Sequence, residues 1–260
     1  MANWFYPEDR TRPVIDPERQ IASKYPDMPL PKLPARAVVF CLGRVPGVLQ
    51  ERFPTRMMME KLPGFITHSP VWCVEDHPEV CFLHGGYGAP AVTCTVETLR
   101  VLGVEEVFLV GLAGGFCEDT QVGDVLLPPA IWSEEGVSRH YLEDPGFAQV
   151  DSPRPLTELA DCFREKGFTA KLEKTVSTDA VYRQTFYKET LWREKGCVAV
   201  DMEASALVNL CNVYRLKSTV ALMVSDRHPL TESSPKWVWG GGSFAALRDD
   251  FIETCISVSL

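Results

Sequence analysis

The sequence has no long apolar run, no cysteine framework and no basic stripe. Its apolar runs stay well short of the ~20 residues that span a bilayer, and its charged, proline-rich start lacks the apolar stretch of a signal peptide. Nine cysteines, with no CxxC pair and several within apolar runs, are typical of buried thiols in a reducing compartment. The net charge of −9 argues against the basic surface that nucleic-acid backbones need. We therefore expect a soluble, cytoplasmic protein that binds neither membrane nor polymeric nucleic acid.

Several motifs of well-known chemistry are also missing. The five histidines show no ligand spacing such as HxxxH, so no metal site is predicted. No GxSxG elbow is present and Ser225 has no visible base, which argues against covalent serine catalysis. His84, beside a glycine loop, and His140, beside Arg139, are the histidines whose positions favour a role, although a lone histidine near a turn is more often structural or exposed.

The pattern of the chain changes at residue 36. Residues 1–35 are rich in proline and charge without periodicity, and we interpret them as an irregular arm that wraps the domain or a neighbouring subunit. Residues 36–260 alternate short β-branched runs with helical stretches, which predicts one α/β domain. Strands are predicted at 36–42, 71–75, 79–84, 107–111, 122–128, 169–176, 197–200 and 218–224. Helices are predicted within 89–103 and at 155–166, 180–193, 203–214 and 243–258.

Two glycine-rich loops each follow a predicted strand. They are "LHGGYGAP" (83–90) and "LVGLAGGF" (109–116), and neither matches GxGxxG or the Walker pattern. Ligands of open α/β sheets bind beyond the carboxyl ends of strands, where glycine lets backbone amides approach an anion or a sugar. Each loop alone is more often a tight turn, so the pair together indicates one shared pocket.

Three carboxylates also fall at strand ends. "VAVDMEASALV" (198–208) puts Asp201 and Glu203 between a predicted strand and a predicted helix, and "ALMVSD" delivers Asp226 to the end of another strand. The alternative for Asp201 and Glu203 is that they satisfy the free amides of the helix start. The alternative for Asp226 is a cap or a surface turn.

Together these segments resemble the nucleoside phosphorylase superfamily, which includes purine and uridine phosphorylases and methylthioadenosine-type nucleosidases. The segments in the family's order are "GGYGAPAVTCTVETLRVLGVEEVFLVGLAGG" (85–115), "VGDVLLP" (122–128), "VDMEASAL" (200–207) and "MVSD" (223–226). "EGVSRHY" (135–141) and "STDAVYR" (177–183) look most like the uridine-phosphorylase-like branch. The resemblance covers residues 36–260 and implies a three-layer α/β/α fold with a mixed, partly barrel-like central sheet.

The resemblance also implies roles on both sides of an N-glycosidic bond. The ribose-binding set is Glu203, Met202 and Asp201, and the base-binding set is Val181, Tyr182, Gly114 and Asp226. Chemistry supports Glu203 and Asp226 as catalytic residues, because breaking the bond builds positive charge on the sugar and negative charge on the departing base. A carboxylate at Glu203 offsets the first charge, and a protonated Asp226 could donate to the base. From the residues alone, Met202 is equally a core side chain.

The chain departs from the superfamily where phosphate is usually held. Relatives carry an arginine on the strand before the second glycine loop and a Gly-Asp-Pro-x-x-Arg loop after the first strand, whereas this chain has Leu109 and "LGRVPG" (42–47). The phosphate-binding candidates are Gly43, Arg44, Gly111, Leu112 and Arg139. Other replacement cations are Arg183 and, from a neighbouring subunit, Arg52, Arg56 and Lys61, each of which is equally a solvated surface charge. A dianion without cations is poorly compensated, so phosphorolysis is not secured.

We expect phosphorolysis of a nucleoside to free base and (deoxy)ribose 1-phosphate by a homo-oligomer, with phosphate as co-substrate and no cofactor. One alternative is hydrolysis of the same bond, for which the first loop offers only Glu51, one helix too far. The other is a nucleoside-binding protein without catalysis. The base stays open because Val181 stands where relatives often carry an aromatic ring, and Tyr182 and Phe186 are equally core residues on a helix face.

Overall fold

The computed structural model describes residues 4–24, 26, 31–237, 239 and 244–260. The strands are β1 Arg36–Phe40, β2 Thr55–Met59, β3 Val71–Val74, β4 His77–His84, β5 Glu106–Gly115, β6 Val125–Leu126, β7 Ala130–Glu134, β8 Phe147–Gln149, β9 Ala170–Lys171, β10 Lys174–Thr178, β11 Cys197–Asp201 and β12 Lys217–Arg227. The helices are α1 Pro17–Lys24, α2 Val45–Arg52, α3 Ala89–Val101, α4 Ser138–Tyr141, α5 Leu156–Glu165, α6 Phe186–Glu194, α7 Ala204–Tyr214 and α8 Phe244–Ser259, with a 3₁₀ turn at Val181–Arg183. Among the described residues, none of the helices has the length and apolar character needed to traverse a bilayer.

The central strands are buried on both faces, which explains their nearly continuous apolar sequences. Along β1, Ala37 and Val39 belong to one core, which also contains residues of α3 and α7. Val38 and Phe40 belong to a second core, formed with α2, α5 and α8. Because successive strand side chains point to opposite faces, this alternation produces three layers, with helices on each side of the sheet.

β5 is the strand at which the sheet branches. The strand order is β2-β3-β4-β1-β5-β11-β10-β7-β8, and β12 also pairs with β5, followed by β6 and β9. β1 and β12 run parallel to β5, whereas β11 runs antiparallel to it. This mixed, branched sheet with helices on both faces confirms the predicted α/β/α fold class.

The segment 1–35, interpreted as an irregular arm, contains the helix α1. Asp16 Oδ1 accepts a hydrogen bond from Arg19 N at 2.9 Å, as an N-cap residue does. Ile21 is buried in the core that contains α3, so this part of the segment packs on the domain. The division of the chain at residue 36 stays a prediction.

Several other predicted elements have different bounds. The predicted strand 107–111 extends to Gly115, so the second glycine-rich segment lies within β5 and the expectation of a loop there is wrong. The predicted strand 122–128 shortens to β6. The predicted strand 169–176 divides into β9 and β10, because β9 pairs with β6 while β10 pairs with β7 and β11 on the other branch. The predicted helix 180–193 divides into the 3₁₀ turn and α6, whose start is capped by Thr185 Oγ1, which accepts from Lys188 N at 3.2 Å. The unpredicted elements are α1, α2, α4, β2, β7 and β8.

Candidate active site where β5 changes neighbours

A gap in strand pairing opens beside the middle of β5. β1 pairs with β5 as far as Val110, and β11 pairs with β5 only at Gly114 and Gly115. Residues 111–113 therefore have β12 on one side and, within the described chain, no paired strand on the other. The gap lies at the carboxyl end of β1, which is where open α/β sheets bind ligands.

The strand register brings two candidate carboxylates to this gap. Gly114 is the register partner of Val200 on one side and of Asp226 on the other. Two interstrand spacings, roughly 10 Å, therefore separate Val200 from Asp226. β11 ends at Asp201, two residues before Glu203, so Glu203 follows the strand on one side of β5 while Asp226 lies on the strand at its other side.

Glu203 is held as a buried carboxyl against the first glycine loop. Its Oε1 accepts a hydrogen bond from Gly88 N at 2.5 Å, and the residue is 6% exposed. Gly88 adopts φ 84°, a left-handed backbone that favours glycine, and directly precedes α3. Burial, and secondly the neighbouring Asp201 charge, raise the pKa of Glu203 to about 8.

Asp201 uses both of its carboxylate oxygens inside the protein. Oδ1 accepts from Ser177 Oγ at 2.6 Å, and Oδ2 accepts from the backbone N–H groups of Glu203 at 2.9 Å and Ala204 at 2.6 Å. Burial raises the pKa of Asp201 even though these hydrogen bonds favour the ionised form. The structure thus gives Asp201 the capping role that the sequence left open, at the start of α7.

Behind Asp201 lies a buried polar network that no sequence motif indicated. Ser177 Oγ accepts from Ser205 N at 2.9 Å, and Ser205 Oγ donates to Glu135 Oε1 at 3.1 Å. Glu135 Oε2 accepts from Ser138 N at 2.9 Å, so this fully buried acid also has both oxygens bonded. The network fixes the chain around Glu203, which explains why small polar residues recur in "STD" and "EAS".

Asp226 is buried and hydrogen-bonded on both oxygens. Oδ1 accepts from Ser225 Oγ at 2.6 Å and Oδ2 accepts from Trp237 Nε1 at 2.6 Å. Burial by itself raises the pKa of Asp226, but hydrogen bonds from His228, Ser225 and Trp237 outweigh it and lower the pKa below its usual value. These hydrogen bonds favour the ionised form of Asp226, so a proton for a departing base would have to reach this carboxylate from a neighbouring group.

His228 links Asp226 to a third carboxylate. Its Nδ1 lies 2.7 Å from Glu189 Oε1 and its Nε2 lies 3.4 Å from Asp226 Oδ2. Burial opposes the charged ring, but the hydrogen bonds and charges of these two acids raise the pKa of His228 to about 9. A side chain at Gly114 would overlap the His228 ring, so this glycine of β5 makes room for the imidazole.

The predicted phosphate residues are placed unequally. Gly111 and Leu112 lie in the gap of β5. Arg44, with φ 79°, is paired with Glu51 at 3.2 Å and with Asp249 at 3.4 Å, so two carboxylates already compensate its charge. Gly43 precedes it in the same turn, and Arg139 lies on α4 with no side-chain hydrogen bond or ion pair within the described residues. Among the other cations, Arg52 is paired with Asp250 and Glu253.

The predicted base-binding turn lies at the surface. Tyr182 is 96% exposed in the 3₁₀ turn, and Val181 beside it is also exposed. The alternative of a core position is therefore wrong for Tyr182, and Phe186 is likewise partly exposed. Met202 is half-buried next to Glu203, so it lies neither wholly in the core nor free at the surface.

His84 and His140 have local partners. His84 Nδ1 accepts from Gly86 N at 3.1 Å and its ring packs edge-on against Tyr87, while burial lowers its pKa. His140 stacks on Trp4, with ring centroids 5.2 Å apart. Neither histidine contacts Glu203 or Asp226. Within the described chain, no group of three or more His, Cys, Asp or Glu residues could hold a metal ion.

Two cavities among the described residues lie away from the two acids. A cavity of about 160 Å³ is lined by residues that include Arg36, Glu106 and Thr219, near the starts of β1, β5 and β12. It therefore lies at the end of these strands opposite to the gap in β5. A smaller one lies between α2 and β4. Neither of these two cavities is lined by Glu203 or Asp226.

Comparisons with known proteins agree with this architecture. A family model described as the phosphorylase superfamily matches residues 64–247. The DeoD-type purine nucleoside phosphorylase of Clostridium perfringens is 30% identical over 142 residues, which cover 54% of this chain and 60% of that protein. The DeoD-type enzyme of Exiguobacterium sp. is 29% identical over 147 residues, covering 56% and 62%. The match thus spans about three-fifths of the length of these curated relatives.

A solved structure extends the likeness in fold to most of the chain. Purine nucleoside phosphorylase from Toxoplasma gondii, in complex with immucillin-H, superimposes with a TM-score of 0.73. The superposition covers 88% of this chain and 91% of that chain, at 18% sequence identity. At that identity the likeness concerns the fold.

Proposed function

The chain belongs to the phosphorylase superfamily, and we propose that it cleaves the N-glycosidic bond of nucleosides by phosphorolysis, releasing free base and (deoxy)ribose 1-phosphate. The single observation that carries the proposal is the register at Gly114, which sets Glu203 and Asp226 on opposite sides of one strand. Phosphate is the co-substrate, and no cofactor takes part.

Glu203 faces the sugar in this proposal. An ionised carboxylate accepts two hydroxyl hydrogen bonds and stabilises the positive charge that builds on the ribose ring. Met202 packs against the sugar, while Asp201 acts indirectly by holding the N–H groups of residues 203 and 204. Glu203 Oε1 already accepts a hydrogen bond from Gly88 N, so in this proposal the same carboxylate binds both the first glycine loop and the sugar.

Asp226 faces the base, together with Gly114 and the turn that carries Val181 and Tyr182. The names of the relatives support a purine as the base. The resemblance of "EGVSRHY" and "STDAVYR" to the uridine-phosphorylase-like branch supports a pyrimidine instead. A purine is our first choice, since the relatives match over more than half of the chain.

Hydrolysis is the second candidate, and the pairing of Arg44 favours it. Glu51 and Asp249 compensate the one arginine of the first loop, which leaves a phosphate dianion with little positive charge there. Water needs no such compensation. In the phosphorolytic case, Arg44 exchanges these partners for phosphate or Arg139 supplies the charge.

We also propose a homo-oligomer and a cytoplasmic location. Tyr182 and Tyr187 expose aromatic rings on the segment next to the site, and a neighbouring subunit would cover them. All nine cysteines are unpaired, as in a reducing compartment. Sedimentation of the wild-type chain and of the Tyr187→Ser variant tests the proposed homo-oligomer. A purely monomeric wild-type chain would overturn it.

The decisive experiment is a panel of purine and pyrimidine nucleosides, each incubated with and without phosphate. Phosphorolysis predicts strict phosphate dependence and ribose 1-phosphate as product, whereas hydrolysis predicts free ribose and indifference to phosphate. Glu203→Gln should abolish either activity, and Glu165→Gln, an exposed acid on α5, is the matched control. Binding of nucleoside without turnover under both conditions would overturn both enzymatic candidates.

A further inference from the structure

Three side chains surround the carboxylate of Asp226 with potential hydrogen-bond donors. Ser225 bonds Oδ1, while Trp237 Nε1 and His228 Nε2 share Oδ2 at 2.6 Å and 3.4 Å. A serine hydroxyl and an indole N–H do not lose their protons near neutral pH, whereas an imidazolium does. His228 is therefore the one of these three donors that can supply a proton.

The position of His228 is fixed by more than one contact. Its Nδ1 faces Glu189 of α6 at 2.7 Å, and its backbone N–H donates to Gly115 O at 2.8 Å. The glycine at 114 leaves space for the ring between β5 and β12. Glu189 is itself buried, with Arg193 at 3.9 Å. The ring is thus built into the fold between two acids.

Resting on the proposed function, we propose that His228 is a positioning residue and proton reservoir for the departing base. As the C1′–N bond breaks, one concerted relay moves the Nε2 proton of the imidazolium through Asp226 to the base nitrogen, and Glu189 holds the imidazole in the orientation that this relay requires. This assignment adds to the site the residue that follows β12, His228, and one residue of α6, Glu189.

The proton and electron balance closes with reactants already named. The C1′–N bond breaks with its electron pair on the base, and a phosphate oxygen, or water in the hydrolytic case, bonds to C1′. The His228 Nε2–H bond breaks as Asp226 O–H forms, and that O–H bond breaks as base N–H forms. One solvent proton then restores the imidazolium. Trp237 must leave Oδ2 to admit the base, and it can be replaced there by the base N–H.

The charged groups around His228 favour its protonated form. Asp226 faces it from β12, and Glu189 faces it from α6, with Arg193 next to Glu189. Cys117, beyond the end of β5, lies close enough to Glu189 and Arg193 to feel their charges, while burial raises its thiol pKa. The pKa of His228, about 9, keeps the reservoir loaded at neutral pH.

The test compares two leaving groups in His228→Gln, which keeps an N–H donor but has no proton to give. Inosine needs a proton for its base to leave, whereas 7-methylinosine already carries positive charge on its base. We expect kcat/KM to fall about 100-fold or more for inosine and less than about fivefold for 7-methylinosine. Equal losses on both substrates, or no loss on inosine, would overturn the proposal. His77→Gln, an exposed histidine on β4, is the matched control.

A second variant covers the case in which His228→Gln does not fold. Glu189→Gln keeps the imidazole but removes one acid that raises its pKa, so the alkaline decline of kcat/KM on any cleaved nucleoside should move down from pH about 9. NMR titration of the His228 ring should show the same shift without substrate. An unchanged pH profile of kcat/KM together with an unchanged NMR titration would refute the role of His228 as a proton reservoir. A wild-type chain that cleaves no nucleoside overturns the proposed function as well, whereas an active one with unaltered variants overturns only this inference.

Discussion

Replacing Glu203 by glutamine is expected to stabilise the folded chain at alkaline pH while abolishing its activity. The folded-state pKa of Glu203 is raised from 4.5 to about 8, so its folded form holds a proton that the unfolded form has lost. A group of this kind contributes stability below pH 4.5 that is lost as the pH rises through about 8. At about 1.4 kcal/mol per pH unit over the interval from 4.5 to about 8, the loss is on the order of 5 kcal/mol.

Urea unfolding of wild type and Glu203→Gln between about pH 5.5 and about pH 9 measures this loss. Glutamine can still accept from Gly88 N and never ionises, so the variant's advantage should grow with pH by about 1 kcal/mol or more per unit and level off above pH 8. The exposed Glu165→Gln should show no such trend. A wild-type-minus-variant difference that is independent of pH would refute the idea of a strained, buried carboxyl.

Activity should run in the opposite direction over the same pH range. Only the ionised carboxylate stabilises a cationic sugar, so kcat/KM of the wild type should rise toward pH about 8 as Glu203 loses its proton. The stability that ionisation removes is then the cost of a charge prepared for the transition state. A kcat/KM that is flat between about pH 6 and about pH 8 would contradict this role.

Three further substitutions test the supporting structure. Asp201→Asn leaves backbone and hydroxyl donors at the start of α7 without a carboxylate, and should destabilise the chain by about 2–4 kcal/mol in urea unfolding. Gly114→Ala pushes a methyl group against His228, and should lower kcat/KM and cost about 1–3 kcal/mol, with an unchanged fold by circular dichroism. Trp237→Phe removes the donor that a base has to displace from Asp226, so KM should fall with little change in kcat; a higher KM would mean that the indole helps to bind the base.

The layers of the fold could be predicted because their signals are local. β1, β5 and β12 contain continuous apolar runs, and α3 has Pro90 in its first turn and apolar side chains that recur with helical spacing. The missed elements have weak local signals: α2 carries Pro46 and Gly47, which are poor helix formers, and β8 has only three residues. α1 did have a readable start, since Asp16 before Pro17 is an N-cap followed by a favoured first position.

In the candidate site too, residues with a local sequence signal could be predicted, whereas contacts between distant segments could not. Strand-end reasoning found Glu203 and Asp226 because each closes a buried strand in the sequence itself. The contact between Glu189 and His228 joins residues 39 positions apart, and it depends on how β12 is registered against β5 and where α6 packs. The pairing of Arg44 with Asp249 is more distant still, so no reading of the first loop alone could have shown that its charge is already compensated.

The distribution of charge across β5 matches the charges that develop when a glycosidic bond breaks. On the β11 side, Glu203, Asp201 and Glu135 are buried with hydrogen bonds from neutral donors and no paired cation among the described residues, so this side favours positive charge. On the β12 side, Asp226 is balanced by the imidazolium of His228, so this side can release a proton to a negative base. The same asymmetry works against a phosphate dianion near Glu203. If phosphorolysis is the reaction, freeing Arg44 by Glu51→Gln with Asp249→Asn should therefore lower KM for phosphate, and an unchanged or higher KM would place the phosphate away from the first loop.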